Sequence, residues 1–162
     1  MKKLVLVFLI FLNGCVSLHS PYPEGYEGPS ALVASSENRV DGSTVQIFYL
    51  EKVNQKLIVN SMGASRGATQ GQGFSFTSQL IETAVPAIEA TFTIVGATAH
   101  AAPIQSLFSD NLIVRGDITF TPEPHEEYIV KGVLNSEYSA VWIENKETGE
   151  IDNKKIEETQ VK

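Results

Sequence analysis

One cysteine, one tryptophan and two methionines in 162 residues leave little special chemistry for this chain to use. A single thiol excludes an intramolecular disulfide, so an ordinary apolar core must hold the fold together. Basic residues are also scarce: 12 Lys and Arg against 19 Asp and Glu give a formal net charge of -7. Nucleic acid and anionic lipid headgroups are both recognised by clustered Lys and Arg, so no nucleic-acid partner is expected, and the scattered acids fit a soluble surface. No G-x-S-x-G elbow is present, and no glycine-rich stretch ends in G-K-[ST]. No two histidines stand at metal-ligand spacing either. The expectation is therefore no enzymatic activity, no cofactor and no metal.

What is present begins at the N-terminus. Lys2 and Lys3 precede an unbroken apolar run over residues 4–12, and Leu12-Asn13-Gly14-Cys15 follows at once. The run is about half the roughly 20 residues that a membrane-crossing helix needs, but it has the length and flanks of a secretory h-region. The L-x-G-C string resembles the lipobox of bacterial lipoproteins. That resemblance implies a signal peptide over 1–14, thioether lipidation of Cys15 and a mature chain starting there. Val16 in place of Asp after the cysteine implies, by analogy with Gram-negative lipoproteins, sorting to the outer membrane with the domain facing the periplasm. The lipid on Cys15 would be the contact with membrane.

Residues 15–42 are rich in Pro, Gly, Ser and Tyr and read as a lipidated tether, with Tyr26 and its neighbours as the part able to dock on the domain. A flexible stretch of that length spans about 25–30 Å. From 43 to 150, short β-branched and aromatic runs alternate with turn signals, the pattern of an all-β domain. Runs at 45–50, 56–60, 74–80, 89–96, 112–120, 127–134 and 139–145 predict an antiparallel β-sandwich or small barrel of about seven strands. Alternation puts Phe74, Phe76, Phe92, Ile94, Val114, Ile118 and Phe120 in the core. Gly116 and Gly132 fall inside strands, where glycine marks a bulge or a close backbone approach. The charged tail at 151–162 reads as frayed or as a short exposed helix.

Two interruptions are long enough to carry function. Residues 61–73, SMGASRGATQGQG, read as a mobile or hairpin loop whose one cation, Arg66, can face a carboxylate or a polymer. Residues 97–110, ATAHAAPIQSLFSD, hold His100 and a possible helical turn. Trp142 sits in VWIEN, either as a core plug, the preferred reading, or as an exposed platform for a sugar or peptide. Arg66, His100 and Trp142 are thus the candidate partner-binding residues, beside lipidation at Cys15.

Further strings extend the likeness. Tyr26, Gly28 and Pro29 follow the anchor, Tyr128, Val130 and Gly132 mark one strand, and Trp142, Glu144, Thr148 and Gly149 mark the next. Together they resemble a family of small Gram-negative outer-membrane lipoproteins. The resemblance implies a β-sandwich lipoprotein and brings no catalytic residues with it. The expected role is non-enzymatic binding or structure in the cell envelope, with an envelope protein or polymer as partner. The alternative is an inhibitor of an envelope-attacking hydrolase such as lysozyme, which an acidic lipoprotein would capture by charge steering.

Overall fold

The computed structural model describes residues 17–109, 111–151 and 154–159; the leader and Cys15 lie outside them. In chain order the elements are β1 (Ser30–Ala34), β2 (Ser36–Arg39), β3 (Thr44–Val53), β4 (Lys56–Leu57), helix α1 (Ser61–Thr69), β5 (Glu82–Pro86) and β6 (Ala90–His100). A 3-10 turn (Pro103–Leu107) leads to β7 (Ile113–Phe120), β8 (Glu127–Leu134), β9 (Tyr138–Asn145) and β10 (Ile156–Thr159). They form two five-stranded sheets, β10-β9-β8-β1-β5 and β2-β3-β6-β7 with β4 beside β3. Phe48, Leu50, Phe92, Ile94, Val114 and Ile118 of one sheet meet Val33, Val85, Tyr128, Val130, Val141 and Ile143 of the other in a continuous core. The chain is an all-β sandwich.

β3 and β6 carry β-branched or aromatic residues at most positions because both faces of their sheet are covered. The inner face meets the opposite sheet. The outer face, with Val45, Ile47, Tyr49, Val95, Ala97 and Ala99, packs under Met62 of α1 and Phe76. Burial pushes the Tyr49 hydroxyl up to about 12, with Glu51 adding to the effect.

Residues 61–73 are therefore not a loop as expected: 61–69 form α1, capped by Asn60, whose Oδ1 accepts from Gly63 N at 3.0 Å. Nor are 74–80 a strand. They run as an irregular strap along the helix, with Phe74 exposed and only Phe76 of the predicted pair buried. The strap takes its hydrogen bonds from helix side chains. Thr77 N donates to Thr69 Oγ1 at 3.0 Å, Gln79 N to Ser65 Oγ at 2.8 Å and Ile81 N to Ser61 Oγ at 2.8 Å.

Both ends of the domain reach further than expected. β1 and β2 lie within the stretch read as tether, and β1 runs between β5 and β8 with Ala31 and Val33 only 1% exposed. The chain changes sheets at Ser35, which a one-residue gap between strands conceals. β1 pairs with β8 in parallel, at Leu32↔Glu127 through Ala34↔Ile129, in a fold expected to be antiparallel. The long path between them, through the other sheet, makes that possible. Ahead of β1 the chain is also tied down: His19 N donates to Leu57 O at 2.8 Å and Tyr22 Oη to Ser30 Oγ at 2.9 Å. At the other end, residues 156–159 of the expected frayed tail are β10, paired antiparallel with β9.

Among the described residues no helix is long and apolar enough to cross a membrane.

Candidate functional site

β6 outruns its neighbour. β7 begins at Ile113, opposite Ala97, so Thr98–His100 extend past the end of that pairing. The connection folds back beside them and is held by a small polar knot. Asp41 Oδ1 accepts from Ser43 N at 2.6 Å, Ser43 Oγ at 2.8 Å and Thr44 N at 2.8 Å, and these bonds hold the Asp41 carboxyl below the usual carboxylate range. Gln105 Nε2 then donates to Ser43 Oγ at 2.8 Å, and Ala102 N to Gln105 Oε1 at 2.9 Å. The 3-10 turn is thereby fixed to the β2–β3 turn.

Facing it is the C-terminal end of α1. Gly71 and Gly73, with φ of +83° and +66°, turn the chain out of the helix into the strap. A cleft of about 720 Å³ lies between these two walls. Arg66, Thr69 and Phe76 stand on one side, and His100, Ala102 and Pro103 on the other. The volume falls within the range of small-molecule sites. Arg66 is exposed and is the only Lys, Arg, Asp or Glu among the lining residues described.

Two polar atoms of lining residues are unsatisfied. His100 Nδ1 lies 3.2 Å from Thr44 Oγ1, but its Nε2 is buried without a hydrogen-bond partner among the described residues, and so is Thr98 Oγ1. An unpaired buried polar atom costs about 1–3 kcal/mol, which a ligand bonding to it would recover. On the outside of the 3-10 turn, Ile104, Leu107 and Phe108 are 57%, 76% and 84% exposed, and no charged residue occurs from Ala101 to Ser109.

The structure thus brings Arg66 and His100 together and leaves Trp142 apart. Trp142 is neither a core plug nor a free platform. It is half-buried on the outer face of β9, with Val141 and Ile143 taking the core positions, while its Nε1 donates to Glu144 Oε2 at 2.8 Å and Lys155 Nζ sits 4.3 Å above its ring. Burial pushes the Glu144 carboxyl up, but hydrogen bonds from Lys131 and Trp142 outweigh it and hold the group below its usual range. Thr98, Phe76 and Thr69 were not among the candidates read from sequence; Thr69 and Phe76 reach the cleft through α1 and its strap, and Thr98 because β6 runs on to His100, through residues 97–100 that were read as part of an interruption.

No family model, curated protein or solved structure matches this chain. Any functional reading rests on the site and the N-terminal strings.

A second, smaller hollow of about 330 Å³ is lined by Lys52, Gln55, Thr93, Arg115, Gly116 and Asp117. Apart from Lys52, its polar side chains are paired with one another or with Glu51: Asp117 accepts from Thr93 Oγ1 at 2.6 Å and from Gln55 Nε2 at 2.8 Å, and Arg115 pairs with Glu51. Such a self-satisfied network reads as scaffold.

Proposed function

We propose that this chain is a lipid-anchored, non-enzymatic binding protein of a Gram-negative outer membrane, held by Cys15 and facing the periplasm, with the α1/3-10 cleft as its binding site. The observation that carries the reading is the convergence of the two segments marked as interruptions, at 61–73 and 97–110, on one open cleft with unpaired polar groups. Binding is preferred to catalysis because the sequence holds no G-x-S-x-G elbow to supply a nucleophile beside His100.

The anchor and the site are tested separately. Cys15→Ser abolishes palmitate labelling of the expressed chain; unchanged labelling defeats the anchor. For the site, the chain from Ser17 onward is immobilised and exposed to envelope extract, since both sheets lie wholly within it. Capture of a partner that is lost in an Arg66→Glu, His100→Leu variant supports the reading. Capture unaffected by that variant, including capture of lysozyme as the inhibitor alternative requires, moves the site away from the cleft.

A further inference from the structure

We infer that the cleft takes a small amphiphile with a single anionic headgroup on an apolar chain, the anion engaging Arg66 and His100. The inference deepens the binding reading above and rests on it. The first argument is charge. In a chain of net charge -7, the described lining of this cleft holds one cation and no carboxylate, so it is a local positive site on an acidic protein. Among the described lining residues a cationic ligand would find no counter-charge, whereas an anion would meet a guanidinium suited to forked recognition of carboxylate or phosphate.

The second argument is the unpaired imidazole nitrogen. With Nδ1 committed to Thr44, His100 Nε2 is left buried and without a partner. That atom has almost no surface of its own, so a headgroup oxygen meets an N–H at Nε2 only as the cleft wall adjusts around it, and a buried polar atom completed in this way by the ligand favours that ligand. The third argument is the rest of the wall. Phe76, Ala101, Ala102 and Pro103, with Gly71 and Gly73, offer a continuous apolar stretch for an alkyl chain, while Thr69, Gln70, Thr98, Ser106 and Asn111 supply the uncharged polar part of the lining.

The probes are decanoate and decyl phosphate, with decyltrimethylammonium as the cation of equal chain length. Each is titrated below its micelle concentration into the ¹⁵N-labelled chain from Ser17 onward, followed by amide shifts. The expected result is saturable shifts of Arg66, Gly71, Gly73, His100 and Ser106 with an anion and none with the cation; the tighter of the two anions identifies the headgroup as carboxylate or phosphate. Arg66→Gln, at an exposed position, should weaken the anion at least tenfold with thermal stability unchanged. His100→Leu should weaken it as well, with binding rather than stability as the readout, because the variant removes the unpaired nitrogen and the Thr44 contact together; undiminished anion binding by His100→Leu would overturn its role.

Equal binding of the cation overturns the inference, as does undiminished binding by Arg66→Gln. Absence of cleft shifts with both anions also overturns it. If an envelope polypeptide is nevertheless captured through the cleft, the binding reading survives and only the amphiphile falls.

Discussion

The Phe48 ring occupies space that two glycines leave open. A Cβ on Gly96, its neighbour in the same sheet, would lie 2.8 Å from the ring, and a Cβ on Gly132 of the opposite sheet would strike both the ring and the Ala140 carbonyl. Gly132→Ala should therefore cost about 1–3 kcal/mol in urea unfolding, whereas Gly42→Ala, with nothing within 4 Å, should stay within about 0.5 kcal/mol. Equal midpoints would refute the packing. Gly116 and Gly132 could be marked from sequence as close approaches because glycine inside a strand has few other uses; that their neighbours are Ile156 and Phe48 depends on contacts across the fold. Asp117 makes a second prediction at this scale. Hydrogen bonds from Thr93 and Gln55 hold its carboxyl below the usual range, so the unfolded chain takes up that proton first as pH falls. Its stabilisation is complete above about pH 5 and is lost as pH falls below that, through the ordinary carboxylate range and on to the lowered value of the folded state. Asp117→Asn should lower stability at neutral pH and flatten the decline between about pH 5 and pH 3; urea midpoints that fall as steeply as in wild type would contradict this.

α1 shows how an element can be hidden from a sequence reading. Gly63, Gly67 and a run of small polar residues oppose helix formation by propensity, and nothing local outweighs them. The compensation is a match of spacings. Ser61, Ser65 and Thr69 recur every four residues, a rise of about 6 Å along a helix, while alternate amides of an extended strap recur at about 6.6 Å. Side-chain hydroxyls thus act for the strap as a neighbouring strand would, and the partner lies 8 to 20 residues further along the chain. Ser65→Ala removes the acceptor of the part-buried Gln79 amide and should cost about 0.5–1.5 kcal/mol. Hydrogen exchange at Gln79 should quicken more than at Phe92; equal protection would show that the rung carries no weight. β3, β6, β7, β8 and β9 were legible because each combines β-branched density with turn signals. β1, β2, β5 and β10 were not: SENR and IEET lack a hydrophobic pattern of their own, and SALVA and ETAVP are five-residue runs next to or ending in a proline.

At the scale of the whole molecule, the sandwich has two unlike ends. One carries the β3–β4 hairpin, the start of β1 and the tie from His19 to Leu57; the other carries the cleft. β3 runs from one to the other over 10 residues, about 33 Å. With the lipid that we propose on Cys15, only three residues lie between the anchored cysteine and His19, at most about 14 Å of chain. A lipid-borne quencher should therefore quench a fluorophore placed at Lys56 and spare one placed at Ile104; the reverse order would show the molecule standing the other way up. The backbone tie at His19 turns what read as a swinging tether into a short mooring. If Cys15 carries the lipid that we propose, so short a mooring would keep the hairpin end at the bilayer and lift the mouth of the cleft by about the length of β3, towards cargo arriving from the aqueous side.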